Sequence, residues 1–465
     1  MLEQRKPKIG LLGIMHGLYD ESQPEITRNQ EQFARDVVRS LSPYAEVDFP
    51  RAAKNRADIE SIVEGFNHGG FDGILVVMLL YSPGFRLVRA LEENRLPLML
   101  ANIQPLPSVT ADWDWRRLTT NQGIHGAQDT ASMMLQAGVD PTIVTDDWSG
   151  DDFREHFGDW ARAVMTIASL KKMRIACFGR MKGMGDIVGD EGNFQRVIGP
   201  EVNHEGIGQV FTLMESSGEA EIDALMELDR KNFVCAPDLS RESHRYALRM
   251  QLGFEKFLVD RGYDGFTANF DSFREDGRFR QIQMLAASNL MAKGYGYSNE
   301  GDVHTTALVA AGHLIAGHGH FTEMYSLDFK RDSALMSHMG EGNWRIARKD
   351  RPIRLIDRPL EIGGLENPPT LVFSAQPGKA TMLSLASIAE YGYRLICSPG
   401  EILDTEELPG VPMPYFHFRP ATGIRSAMDN WLRGGGTHHE ALTLGAHHRR
   451  WRILARHLGI EYLEV

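Results

Sequence analysis

The sequence predicts an α/β fold in which two doubly wound α/β domains precede a C-terminal antiparallel β-barrel-like domain. Three observations support this prediction. The chain has 465 residues, which is too long for one compact core. Its first two thirds alternate continuous apolar runs with amphipathic stretches, the pattern of parallel strands joined by helices. After about residue 320, short stretches of alternating apolar and polar residues indicate antiparallel strands.

We expect a Rossmann-like N-terminal domain over residues 1–170. Its apolar runs at 8–15 and 72–81 show no alternation, as expected for parallel strands that are buried on both faces. Ligands of such sheets bind beyond the carboxyl ends of the strands. His16 and Tyr81 follow these two strands and are therefore candidate ligand contacts.

A central α/β domain is predicted over residues 171–318, and a β-barrel domain with a terminal helix over 319–465. Central strands are expected at 173–179, 209–214 and 264–270. Central helices are expected at 219–230, 240–261 and 280–293. Barrel strands are expected at 351–357, 369–376 and 379–388, and the closing helix at 442–458.

Composition and charge narrow the possible partners. The formal net charge of −12, with no long basic run, disfavours a nucleic-acid partner. No apolar stretch is long enough to span a membrane, and the first residues do not resemble a signal peptide. Three widely separated cysteines fit a reduced compartment, so we expect a cytoplasmic protein. The stretch GMGDIVG (183–189) is an imperfect dinucleotide fingerprint, and we expect a loop there and no nucleotide cofactor.

Four short segments contain carboxylates and imidazoles that could hold a metal ion. They are GYGYSNEGD (294–302) with Glu300, GHFTEMYSLDF (319–329) with Glu323, LMSHMGEGN (335–343) with His338, and WLRGGGTHHEAL (431–442) with His438 and His439. Such a mixed nitrogen and oxygen set suits Mn²⁺, Co²⁺ or Fe²⁺. A chain with 62 acidic residues and 17 histidines produces such groups by chance, so these residue types permit a metal without requiring one.

In their order and approximate separation, the four segments resemble the signature segments of the L-arabinose isomerase family, within the wider arabinose/fucose isomerase superfamily. The resemblance implies a metal site formed by Glu300, Glu323, His338 and His439, with Mn²⁺ as the expected ion and Co²⁺ or another divalent ion as alternatives. It also implies that Glu300 and Glu323 are the catalytic pair. His438 could exchange roles with His439, but the alignment of the motif favours His439 as the ligand.

Two N-terminal segments extend the resemblance. TTNQGIHG (119–126) and YSPGF (81–85) are similar to family segments beside the sugar. The implied substrate-binding residues are His16, Tyr81, Gln122, His125 and Phe270. The resemblance also implies a homo-oligomer, trimer-based and hexameric in the family pattern, in which a neighbouring subunit completes each site.

The resemblance implies an aldose–ketose isomerase that converts L-arabinose to L-ribulose, or D-galactose to D-tagatose, through a metal-stabilised cis-enediol. His16 stands where the family has glutamine, and Met324 where it usually has an acid. These departures leave the sugar open. Two alternatives also remain open: a noncatalytic sugar-binding or regulatory protein, and a metal-dependent isomerase or epimerase of a different sugar.

Overall fold

The computed structural model describes residues 2, 4–360, 364–390 and 392–465. The chain divides into two compact units, one of Arg5–Ala168 and one that contains Ser169–Val465. Among the described residues, none of the helices has the length and apolar character needed to cross a membrane.

The first unit is a parallel sheet covered by helices, as predicted. Its elements are β1 (Lys8–Ile14), α1 (Ile26–Leu41), β2 (Glu46–Asp48), α2 (Arg56–His68), β3 (Gly73–Met78), α3 (Val88–Glu93), β4 (Leu98–Asn102), α4 (Trp115–Thr120), α5 (Gly123–Gln136), β5 (Thr142–Thr145) and α6 (Asp151–Leu170). The strand order is β2-β1-β3-β4-β5, with every pair parallel. All residues of β3 are buried, which explains its unbroken apolar sequence.

The second unit begins with another parallel sheet. Its α/β elements are β6 (Arg174–Phe178), α7 (Glu191–Val197), β7 (Glu201–His204), α8 (Ile207–Glu215), α9 (Glu219–Asn232), β8 (Val234–Cys235), α10 (Arg241–Arg261), β9 (Gly265–Ala268), α11 (Phe270–Asp276), α12 (Met284–Lys293), β10 (Gly296–Asn299) and α13 (Val303–Ala316). The strand order is β10-β9-β6-β7, again parallel throughout. A doubly wound sheet was predicted here and is confirmed.

The strand predicted at 209–214 is wrong, because these residues lie within α8. Ile207, Val210 and Met214 are the buried positions, and their spacing of three and four residues is helical. This face packs on α10 at Gly253, where an added Cβ would lie 2.8 Å from the Val210 carbonyl oxygen. A short apolar run does not distinguish a strand from a helix that is buried on one side.

The C-terminal part forms a closed barrel. Its elements are β11 (His320–Asp328), β12 (Ser333–Ser337), β13 (Arg354–Asp357), β14 (Pro369–Val372), β15 (Gly378–Ile388), β16 (Gly392–Ile402), β17 (Tyr415–Pro420), α14 (Ile424–Gly434), β18 (His439–Leu444), α15 (His448–Leu458) and β19 (Glu461–Glu464). Within the described residues, six antiparallel strands close in the order β15-β18-β11-β12-β17-β16 and back to β15. β19 adds to β16 in parallel, and β13 and β14 join β8 in a small separate sheet.

The predicted closing helix begins six residues too early. Residues 442–444 end β18, and the helix starts only at His448. Gly445 separates the two elements with a φ of +100°, a conformation that L-residues with side chains rarely adopt. Leu442 belongs to the apolar cluster of the barrel together with Met382 and Phe416.

Candidate metal centre

Two glutamates and three histidines from four strand ends converge in the second unit. We call this group the Glu–His cluster, and it consists of Glu300, Glu323, His338, His438 and His439. Glu300 follows the last residue of β10, whereas the other four belong to the barrel strands β11, β12 and β18 or lie next to their ends. The carboxyl end of a parallel sheet therefore meets the barrel at this cluster.

The register of the barrel brings three of these side chains together. Glu323 on β11 is paired with His439 on β18 and, on its other side, with Ser337 at the end of β12. His338 is the next residue after Ser337. Residues that face each other on adjacent antiparallel strands have Cβ atoms about 4.5–5.5 Å apart, so the strand pairing itself sets the spacing of Glu323 and His439.

Glu300 reaches the cluster from an unusual backbone conformation. Its φ is +65°, in the left-handed region, which costs a residue other than glycine on the order of 1–2 kcal/mol. Its amide donates to the carbonyl of Ala268 (3.1 Å), and its own carbonyl accepts from the amide of Met181 (2.8 Å). These hydrogen bonds hold Glu300 in place, and strain of this kind is concentrated at functional sites.

The distances within the cluster are those of a group of ligand atoms. The Nε2 atom of His439 lies 3.3 Å from Oε1 of Glu323 and 3.5 Å from Oε2 of Glu300. The Nε2 atom of His338 lies 3.5 Å from Oε1 of Glu323. Two overlapping groups of three, Glu323–His338–His439 and Glu300–His438–His439, each have their ligand atoms within 4.8 Å of one another.

The donor atoms fit a divalent cation. Oε2 of Glu300 and Nε2 of His439 are buried, and neither has a hydrogen-bond partner among the described residues. A buried polar atom without a partner costs roughly 1–3 kcal/mol. A cation between these atoms would satisfy both, and a mixed set of imidazoles and carboxylates suits Mn²⁺ or Co²⁺.

Two buried carboxylates behind the cluster orient its histidines. Nδ1 of His439 lies 3.0 Å from Oδ2 of Asp302, and Nδ1 of His338 lies 3.0 Å from Oε2 of Glu341 without the alignment of a hydrogen bond. The carboxylate of Glu341 also accepts from the hydroxyl of Tyr297 (2.8 Å). Carboxylates in this position fix the ring orientation of metal-binding histidines.

The charges of the cluster stabilise one another. Burial acts to raise the pKa of Glu300, but the nearby imidazoles of His438 and His439 lower this pKa to about 2. Burial acts to lower the pKa of His439, but Asp302 and the two cluster glutamates raise it well above its usual value. The pKa of Glu300 therefore lies far below neutral pH, so this carboxylate is ionised and can bind a cation.

Sequence reasoning did not find Asp302 and Glu341. A signal was present in both cases, because Asp302 lies two residues after Glu300 and Glu341 three residues after His338. The four residues predicted as a metal site do lie together, and His438 lies beside them. Their roles remain predictions.

Four of the predicted sugar-binding residues lie in the first unit. His16 follows β1, its Nδ1 accepts from the amide of Leu18 (2.9 Å), and its Nε2 lies 3.1 Å from Nη2 of Arg86. Burial lowers the pKa of His16, and the positive charge of Arg86 lowers it further by a smaller amount. Tyr81 is half-buried after β3.

The side chain of Gln122 donates to the Tyr19 hydroxyl (3.0 Å), and His125 is exposed on α5. Phe270 is half-buried at the start of α11 in the second unit. None of these contacts tests a role in sugar binding, so all five residues remain candidates.

Three family models together match nearly the whole chain. The family model described as the L-arabinose isomerase N-terminal domain matches residues 11–172. The model of the central domain matches residues 174–318, and that of the C-terminal domain matches 318–461. Among solved structures, an ABC transporter solute-binding protein from Agrobacterium vitis, bound with α-D-tagatopyranose, covers 66% of this chain and 89% of its own. Its identity of 11% and TM-score of 0.16 do not establish a shared fold.

Curated relatives agree over nearly the full length. The L-arabinose isomerase of a Nocardioides species is 32% identical and covers 91% of this chain and 88% of its own. That of Leuconostoc mesenteroides is 28% identical and covers 95% and 96%. That of Clostridium beijerinckii is 27% identical and covers 98% and 93%. The chain therefore belongs to the L-arabinose isomerase family, a family of isomerases.

Proposed function

We propose that this protein is a metal-dependent aldose–ketose isomerase that interconverts L-arabinose and L-ribulose, with D-galactose and D-tagatose as a second pair. The observation that carries the proposal is the Glu–His cluster. In it, two carboxylates meet buried donor atoms that have no hydrogen-bond partner among the described residues, in a chain whose named relatives are L-arabinose isomerases. The choice of L-arabinose as the substrate rests on the names of those relatives.

In this proposal, Glu300, Glu323, His338 and His439 hold Mn²⁺, or Co²⁺ or another divalent ion in its place. When bound, the ion would supply Lewis-acid stabilisation of negative charge on the sugar oxygens. Asp302 and Glu341 keep the rings of His439 and His338 turned so that their Nε2 atoms face the glutamates.

Glu300 and Glu323 are the proposed proton carriers. One carboxylate removes the proton from C2 of the open-chain aldose, which gives a cis-enediol, and returns a proton to C1. The other moves the hydroxyl proton from O2 to O1, so that the carbonyl shifts without a net change of atoms. Both carboxylates lie within 3.5 Å of the Nε2 atom of His439, which places them around one small space.

His16, Tyr81, Gln122, His125 and Phe270 are the proposed sugar contacts. Since His125 is exposed on α5, a site that uses it needs a covering surface, and we propose a homo-oligomer, trimer-based, in which a second subunit provides that surface. Exposed apolar side chains on the neighbouring α4, Trp115 and Leu118, support such an association. The proposal also places the protein in the cytoplasm, which agrees with three cysteines that are all free thiols.

The test is turnover of a panel of aldoses with Mn²⁺ in deuterated water. We expect ketose from L-arabinose, with solvent deuterium at C1 of the product. Unlabelled ketose would contradict the proton-carrier roles, and no ketose from any aldose would contradict the isomerase itself.

The variants Glu300→Gln and Glu323→Gln should each lower kcat by about 10²–10⁴-fold, the usual contribution of a general acid or base. The matched control is Glu407→Gln, which makes the same chemical change on an exposed loop of the second unit. Activity of either cluster variant within a few fold of the control would rule out that residue as a proton carrier.

A further inference from the structure

The three histidines of the Glu–His cluster share one arrangement. Each has a carboxylate at Nδ1. Nε2 of His438 and of His439 faces both glutamates, and Nε2 of His338 faces Glu323. The Nδ1 partners are Asp302 for His439 at 3.0 Å, Glu341 for His338 at 3.0 Å, and Asp186 for His438 at 2.7 Å. Only the first two of these histidines belong to the four-residue set proposed above.

Asp186 comes from a distant part of the sequence and is fixed by two contacts. Its Oδ2 accepts both from Nδ1 of His438 (2.7 Å) and from the backbone amide of the same residue (2.9 Å). The segment that carries it, after β6, is joined to the cluster by the hydrogen bond from the Met181 amide to the Glu300 carbonyl (2.8 Å). The carboxylate is therefore held in position and determines how the ring of His438 is turned.

The other nitrogen of His438 lies at the cluster. Its Nε2 is 3.7 Å from Oε2 of Glu300 and 3.8 Å from Oε1 of Glu323. A histidine that donates its Nδ1 proton to a carboxylate has its lone pair at Nε2, the atom with which it can bind a metal. The His438 side chain is 39% exposed, so it lies on the open side of the cluster.

We propose that His438 is a further metal ligand, giving a donor set of three imidazoles and two carboxylates, and that Asp186 is its positioning residue. This inference rests on the proposed function only in taking the cluster to bind a divalent ion. A solvated Asp–His pair without this role would contribute little, since exposed ion pairs are worth about 0–1 kcal/mol. A role in orienting a metal ligand therefore explains the contact between Asp186 and His438, which its contribution to stability does not.

The test is a titration of the full chain with Mn²⁺ in the absence of sugar. The electron paramagnetic resonance signal of free Mn²⁺ measures how much of the ion is bound. We expect His438→Ala and Asp186→Asn to weaken Mn²⁺ binding by about 10–100-fold, the usual effect of losing a ligand or its outer partner. Asp429→Asn is the matched control, because Asp429 is an exposed carboxylate on α14 of the same unit, 70% exposed and 3.9 Å from Arg433. Circular dichroism and thermal unfolding establish that each variant is folded.

A double variant tests whether Asp186 acts through His438. If it does, Asp186→Asn combined with His438→Ala should bind Mn²⁺ no more weakly than His438→Ala alone. Additive losses would overturn the positioning role. An affinity of His438→Ala within twofold of the wild type would overturn the ligand role.

The outcomes separate this inference from the proposed function. A wild-type protein that binds Mn²⁺ but converts no aldose refutes the isomerase proposal, while the variant titrations still decide the ligand set. A His438→Ala variant that keeps its Mn²⁺ affinity but loses turnover refutes the ligand role and leaves the isomerase proposal standing. A wild-type protein that binds no Mn²⁺ refutes the inference directly.

Discussion

Asp302 shows how one side chain can serve a helix and a metal centre together. Its Oδ1 accepts from the amides of His304 and Thr305, both at 3.0 Å, and so caps the N-terminus of α13. Its Oδ2 lies 3.0 Å from Nδ1 of His439. The two oxygens can therefore be tested separately by substitution.

Asp302→Asn should weaken Mn²⁺ binding by about 10–100-fold and leave thermal stability nearly unchanged. Asparagine caps helices as well as aspartate does. Its amide nitrogen, however, would face Nδ1 of His439 as a donor, so that the ring would have to carry its proton on Nε2. Mn²⁺ titration and thermal unfolding of the same sample measure the two effects.

Asp302→Ala is the companion variant. It removes both functions and should lower the free energy of unfolding by a further ~1 kcal/mol through the lost cap. If Asp302→Asn bound Mn²⁺ as tightly as the wild type, the orienting role would be refuted. If Asp302→Ala were as stable as Asp302→Asn, the capping role would be refuted.

At the scale of elements, α8 packs unusually closely on α10. The close approach is possible because Gly253 has no side chain, since an added Cβ would lie 2.8 Å from both the Val210 carbonyl oxygen and the Met214 Cβ. Glycine inside a helix normally costs roughly 0.5–1 kcal/mol relative to alanine. At Gly253, the close packing of α8 on α10 outweighs the usual preference of a helix for alanine over glycine.

Gly253→Ala should destabilise the protein by about 1–3 kcal/mol, because backbone and side chain of α8 would have to move. Gly65→Ala is the matched control, because Gly65 lies inside α2 and a Cβ added there would meet no atom of the described residues within 4 Å. That change should stabilise by about 0.4–1 kcal/mol. Denaturant unfolding measures both, and a stabilising Gly253→Ala would contradict the close packing of the two helices.

A comparison of β3 with α8 shows where prediction from sequence succeeds and where it fails. Strands such as β3 were recognised, since an unbroken apolar run between two amphipathic stretches is the pattern of a parallel strand that is buried on both faces. The apolar run in α8 has the length of a strand and is helical only because α10 offers it a surface. That surface is formed by residues about 40 positions away, which no local pattern contains.

The site likewise has residues that the sequence predicts and contacts that it does not predict. Glu300, Glu323, His338 and His439 stand in recognisable segments, so they could be predicted together. The partnership of Asp186 with His438 joins residues 252 positions apart, and nothing in the spacing of the sequence indicates it.

At the scale of the whole molecule, the cluster joins two layers of the second unit. Glu300 belongs to the parallel sheet, and Glu323, His338 and His439 belong to the barrel. An ion bound by all four would therefore link the sheet to the barrel. Because binding to the folded state alone stabilises it, metal content should control the stability of this unit.

Adding Mn²⁺ at about 100 times its dissociation constant should raise the free energy of unfolding by ~2.7 kcal/mol over the chelator-treated protein. Calorimetry with and without Mn²⁺ measures the shift. His439→Ala should lose most of it, because His439 belongs to both groups of candidate ligands. An equal shift in that variant would place the stabilising ion elsewhere on the chain.

The closed barrel also constrains when the site can exist during synthesis. β18 lies between β15 and β11 and carries His439, although it is among the last strands in the chain. A nascent chain that has emerged only as far as residue 438 has Glu300, Glu323 and His338 but cannot close the ring of strands. The complete ion-binding geometry thus becomes available only after β18 has been synthesised, so chains that stop before His439 would not retain metal as the 465-residue chain does.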